Sequence, residues 1–240
     1  MTEPRTKFIA LAIALACCAG FAAAQDKAAQ DKAVQEKSTP APLSVEDLKI
    51  RSGKGDRSAT RQLAEMYYLG RGGVEQNFAE AARWYEILAK QGDRRAQTSL
   101  GLIYARGYGV TKNLELAHKW WNLAALQGDA GAQYNLGTLY FRGEGVARDY
   151  EQAARWYRDA AQRGHVQAQS KLGSMYYEGQ GLDKSARQAY YWLKVAALQG
   201  DDEARTALPV VAKGMNADEI RDADSQAGDW MKKYKKVVGQ

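Results

Sequence analysis

The chain has 240 residues, 26% of them charged, and a formal net charge of +6. Basic and acidic side chains are interspersed along it, which argues against a nucleic-acid binder, whose cations gather on one face or motif. The only cysteines are Cys17 and Cys18, so the chain lacks the disulfide framework that staples small secreted domains.

In chain order, Arg5 and Lys7 precede an apolar run from Phe8 to Ala19, followed by Ala22, Ala23 and Ala24. A basic start, an apolar stretch too short to span a bilayer and a small-residue end predict a secretory signal at 1–24. Cleavage after Ala24 and a periplasmic location are expected. Two alternatives stay open. The segment could remain as an uncleaved anchor, or Cys17 could be lipidated, since Ala14 and Ala16 partly match the bacterial lipobox. Membrane attachment is expected only if Cys17 is lipidated. Residues 25–42 are polar, repetitive and closed by Pro40 and Pro42, which predicts a disordered linker.

A leading helix is expected within 43–56, ahead of Gly55-Asp56. From there the chain repeats itself. Trp84, Trp120, Trp156 and Trp192 stand at a fixed step of 36, as do Gly92, Gly128, Gly164 and Gly200. A constant period in this range marks a solenoid whose repeats pack on their neighbours. Ala132, Leu136 and Tyr140 form one helical stripe, and Ala153, Trp156, Tyr157, Ala160 and Ala161 form a second. Each of the four units in 57–200 therefore reads as two helices, and no window alternates as a strand would.

The punctuation recurs with the core. Gly107, Gly143 and Gly179 follow the first helices, where glycine is the cheapest left-handed residue. Asn77, Asn113, Asp149 and Ser185 precede the second helices as N-caps, and the aspartates of the Gly-Asp pairs precede the first ones. His165 replaces that aspartate at one boundary. Gly101, Gly137 and Gly173 sit inside helices at a cost of about 1 kcal/mol each, which suggests that the paired backbones approach closely. The tryptophans are expected to fill the gaps between repeats. After Gly200 the register persists through Ala204 and Leu208, but Pro209 stands in the glycine position. Asn216 and Glu219 then resemble a capping box opening a last helix, so 201–240 is a partial repeat with a capping helix.

The pattern A-x3-L-G-x2-Y-x2-G-x-G-V, then A-x2-W-Y-x2-A-A-x2-G, resembles the Sel-1-like repeat, a relative of the tetratricopeptide repeat, over Ala59 to Gly200. The resemblance implies an all-α fold, a right-handed α-α superhelix of antiparallel helix pairs, and a role as an interaction scaffold. The first unit departs from it with Ala64 for the glycine and one extra residue in Gly70–Gly73.

Chemistry is sparse. His118 and His165 fall in different repeats, no phosphate loop or G-x-S-x-G elbow is present, and zinc-ligand spacings are missing. No catalytic residue, metal or small-molecule cofactor is expected. If first helices line the concave face, as in tetratricopeptide stacks, Tyr68, Arg106, Tyr134, Phe141, Arg142 and Tyr177 fall in a groove suited to a peptide. The competing reading of these aromatics is packing between units. Gln97, Gln133 and Gln169 are expected to bridge helices, and the lysines at 232, 233, 235 and 236 to be a solvated helix end.

The reading adopted is a non-enzymatic exported scaffold for a protein or peptide in a cell-envelope or signalling process. A lipid-anchored assembly factor is one alternative. The other is recognition or hydrolysis of β-lactam or peptidoglycan, as linked to cysteine-rich members of the family. Those members staple each repeat with a disulfide, which is unavailable here.

Overall fold

The computed structural model describes residues 43–239; the predicted signal and linker lie outside the described residues. The chain divides between Asp47 and Leu48, and the second part, Leu48–Gln240, carries the repeats. The described residues form eleven helices and no strand. They are α1 Val45–Gly53, α2 Arg57–Leu69, α3 Phe78–Lys90, α4 Arg94–Arg106, α5 Leu114–Leu126, α6 Ala130–Arg142, α7 Tyr150–Gln162, α8 Val166–Glu178, α9 Ala186–Leu198, α10 Asp202–Ala212 and α11 Ala217–Val238. Helices α2 to α9 are all 13 residues long. Each packs chiefly on its pair mate (α2–α3, α4–α5, α6–α7, α8–α9) and next on its neighbour in the following unit. That is the nearest-neighbour arrangement of a solenoid.

Every helix start from α2 onward is capped as its sequence requires. Asp56, Asn77, Asp93, Asn113, Asp129, Asp149, Ser185 and Asp201 each accept a backbone N–H two or three residues on. His165 does the same through Nδ1, accepting from the Ala168 N–H at 3.3 Å. Asn216 and Glu219 complete a reciprocal capping box. Helix α10 runs through Pro209 to Ala212, so the proline does not end it.

Alanines and leucines of the stripes are fully buried, and four clusters of core residues follow one another along the chain. Trp120 packs with the α3–α4 core, Trp156 against the α5–α6 core and Trp192 with the α7–α8 core. Each tryptophan thus reaches back into the preceding unit, as expected of a ring that fills the joint. Each helix glycine receives a side chain of the pair mate, and at Gly173 the predicted backbone approach is present as well, with the Ala189 carbonyl oxygen 3.1 Å from an added methyl. A methyl at Gly101 would meet the Trp121 ring at 2.5 Å, and one at Gly137 the Tyr157 ring at 2.7 Å. At Gly173 it would meet the Leu193 side chain at 2.7 Å. The glycines are sockets for the side chain that follows each repeat tryptophan.

Loop glycines join the units to one another. Gly109, Gly145 and Gly181 all have φ between 64° and 70°, a region that L side chains rarely adopt. Each also lies against the first residues of the preceding unit's second helix, at Phe78–Ala79, Leu114 and Tyr150–Glu151.

Candidate functional site

Two adjoining clefts lie along the first helices α4, α6 and α8. One, of about 330 Å³, lies between α4 and α6 and is lined by Leu102, Arg106, Asn135, Thr138, Leu139 and Arg142, with Lys112 and Trp121 at its edge. The other, of about 610 Å³, lies between α6 and α8 and reaches the turn before α10. Tyr134, Arg142, Ser170, Lys171, Asp202 and Glu203 contribute to it. Arg142 lines both clefts.

Of the six residues singled out from the sequence, Arg106 and Arg142 meet in the first cleft, and Tyr134 joins Arg142 in the second. Both arginines are exposed. Among the described residues Arg142 has one ion pair, with Glu144 at 3.7 Å, a weak surface pair. Tyr68, Phe141 and Tyr177 lie outside both clefts. Tyr68 packs edge-on against Phe78 at 5.3 Å and against Tyr85. Phe141 packs edge-on against Tyr150 at 5.3 Å and joins the α7–α8 core. Tyr177 is exposed beside the Lys184 ammonium, 5.7 Å from its ring. The aromatics and arginines therefore part company: Arg106 and Arg142 line the clefts, whereas the Tyr68 and Phe141 rings pack on the second helix of their own unit.

Asn135, Thr138 and Lys112 also face the first cleft, yet the sequence reading did not single them out. Thr138 occupies the position two after the core leucine that the register marks as exposed. Asn135 sits one residue off that stripe, and Lys112 lies in a loop without periodicity. The signal was present for one of the three.

A row of polar and ring contacts joins successive units. Arg61 donates to the cap Asp93 of the next unit at 2.6 Å, and Arg57 stands 3.6 Å away. Burial works to raise the Asp93 pKa, but the Ala96 N–H and the two arginines outweigh it and hold the carboxyl below its usual range. At the equivalent joint further along, Ser170 meets Asp201 at 3.4 Å. Between them, Tyr134 lies flat on His165. The predicted glutamine bridges form as well. Gln97, Gln133 and Gln169 are buried and donate to Ala89, Ala125 and Ala161 carbonyls at 3.0–3.1 Å.

His118 makes a 3.1 Å contact with the Tyr140 hydroxyl, and burial lowers its pKa. His165 is engaged in capping. Among the described residues no group of three or more His, Cys, Asp or Glu side chains is placed to hold a metal. No described helix is long and apolar enough to cross a membrane.

Comparison with known proteins decides the family. The Sel1 repeat matches residues 57–93, 94–129, 130–165 and 166–201, well over half of the chain. The chain belongs to the Sel1 repeat family. Its fold is similar to a protective antigen present in uropathogenic Escherichia coli strains that displays an SLR fold. That match has a TM-score of 0.71 and 32% identity, and covers 79% of this chain and 41% of the antigen. A Sel1 repeat protein from Oxalobacter formigenes is similar at a TM-score of 0.64 and 31% identity, covering 82% of this chain and 79% of that one. This chain therefore spans about two fifths of the antigen's length. No curated protein matches it. A Sel1 repeat stack is a scaffold, a fold typically used for protein interaction.

Proposed function

We propose that this Sel1 repeat protein is an exported scaffold that holds a protein or peptide segment along the groove of α4, α6 and α8, in a cell-envelope or signalling process. The observation that carries this is Arg142, exposed and shared by two consecutive clefts. A segment laid across the first helices would pass it on both sides. The α4–α6 cleft is basic, with Arg106, Lys112 and Arg142 against Glu144, while the far end carries Asp202 and Glu203. Opposite charges at the two ends favour one direction of a bound chain. Export is supported by the charge, length and small-residue pattern of residues 1–24. The similarity to a protective antigen also supports a place outside the cytoplasm.

The test is an Arg106→Ala, Arg142→Ala double variant used as bait in an envelope extract, with captured proteins identified by mass spectrometry. Loss of one specific protein with an unchanged melting temperature supports the groove. Undiminished capture places the partner on another surface. Sequencing the N-terminus of the protein from its native host tests export: Gln25 is expected, Met1 would refute cleavage, and an acylated Cys17 would assign a lipid anchor.

A further inference from the structure

A second cleft lies away from the groove, and its residues break the repeat pattern in a telling way. Positions 127 and 199 are glutamines that follow a second helix. Gln127 donates to Gln97 Oε1 at 2.7 Å and Gln199 to Gln169 Oε1 at 2.6 Å. The equivalent residue at the joint between them is Arg163, and it makes no such bond. Gln133, only 3% exposed, is left with its Oε1 unpartnered. Leaving a buried acceptor unsatisfied costs stability, and a local rule broken without internal compensation points to function.

Arg163 instead lines a cleft of about 520 Å³ between the last turn of α7 and the second half of α11. Trp230, Lys233, Tyr234 and Val237 form its other wall. Trp230 and Tyr234 stack on each other, centroids 4.8 Å apart and planes 11° apart. Tyr234 also closes over Gly164, where any side chain would collide with its ring. Neither Arg163 nor Lys233 forms an ion pair among the described residues. The Arg163 guanidinium rests over Gly128, and with Lys233 it gives two cations without an ion pair beside an apolar wall, in a cleft of ligand-binding size.

We propose that this cleft binds the carboxy-terminal end of a polypeptide whose last residue is aromatic or branched apolar. The planar guanidinium of Arg163 matches a carboxylate bidentately, and Lys233 supplies a second charge. The outer face of the Trp230–Tyr234 pair and Val237 take the terminal side chain. Because the two rings are stacked on one another, a nucleobase has no slot between them and could use only the same outer face.

The test is calorimetric titration of the full chain with the pentapeptide Ala-Ala-Ala-Ala-Phe as its free acid and as its carboxy-terminal amide. N-acetylphenylalanine and uridine monophosphate form two further arms. The acid is expected to saturate one site and the amide to bind about tenfold more weakly or worse. Arg163→Gln is the decisive variant. It restores the repeat's glutamine and a donor for Gln133, so it should raise the melting temperature by about 2 °C while abolishing peptide binding. Trp230→Ala should also weaken binding. Equal affinity for acid and amide, undiminished binding by Arg163→Gln, or tighter binding of the nucleotide would each overturn the proposal. N-acetylphenylalanine binding as tightly as the peptide would overturn it in favour of a small organic acid. Arg106→Ala with Arg142→Ala should leave this binding intact, which separates it from the groove reading.

Discussion

Tyr134 lies flat on His165, with ring centroids 4.5 Å apart and planes inclined by 17°, and the same imidazole caps α8 through Nδ1. At the corresponding joint Arg61 reaches the cap Asp93. There a guanidinium pairs with a carboxylate; here two rings stack. The cap uses the Nδ1 lone pair, which a proton on that nitrogen would remove.

Burial pushes the His165 pKa below its ordinary 6.5, against the opposing charge of Asp129. An unfolded chain therefore takes up the proton more readily than the folded one. The stability this joint contributes is present above pH 6.5 and falls as pH drops below it. His165→Asp should flatten that slope, because a carboxylate still caps α8 down to about pH 4. Melting curves at pH 7.5 and pH 5.0 check this. Identical slopes for the variant and the natural chain would show that another group governs the acid response.

Trp120, 9% exposed and packed into the α3–α4 core, should be costly to truncate. Trp120→Ala is expected to destabilise the stack by about 3–5 kcal/mol, as large aromatic deletions do. Deleting residues 25–42 should leave the melting temperature within error. Comparable losses from both changes would show that the tryptophan is not what holds successive units together.

Most of this fold is legible in the sequence because a solenoid repeats its local rules. A cap, a stripe and a terminal glycine recur often enough to fix each helix to within a residue or so, as Asn113 and Gly107 do around the α4–α5 loop. Which side chain stands over each helix glycine is not legible in the sequence, for a physical reason. Periodicity reports which positions are small, not what stands over them, and Trp121, Tyr157 and Leu193 differ too much to form a visible motif. The groove was legible only as a register. Arg106 and Arg142 fall in it, whereas Phe141 turns into the α7–α8 core through ring contacts with Tyr150 and Tyr157 that no one-dimensional pattern encodes.

That division predicts opposite outcomes at adjacent residues. Phe141→Ala removes a half-buried ring and should cost about 2 kcal/mol, lowering the melting temperature by roughly 4–8 °C. Arg142→Ala loses only an exposed side chain and a 3.7 Å ion pair, so its stability should change by about 0.5 kcal/mol or less. Differential scanning calorimetry on the two single variants decides the matter. A larger loss for Arg142→Ala would mean that the guanidinium is structural and unavailable to a ligand.

The loop glycines allow the inter-unit contact to be weighed apart from backbone conformation. Gly73 and Gly145 both have positive φ, 85° and 70°, so alanine at either carries a conformational cost of about 1–2 kcal/mol. At Gly73 nothing lies within 4 Å of an added methyl, whereas at Gly145 it would meet the Leu114 Cβ at 2.5 Å and its carbonyl carbon at 3.2 Å. Backbone cannot rotate away as a side chain can, so Gly145→Ala must displace the loop from the start of α5. Overpacking of this kind typically costs a further 1–3 kcal/mol or so. Gly145→Ala should therefore melt several degrees below Gly73→Ala, and amide hydrogen exchange should accelerate first in the 143–149 loop and the first turn of α5. Equal melting temperatures would show that the loop gives way freely and that the G-x-G spacing serves the turn alone.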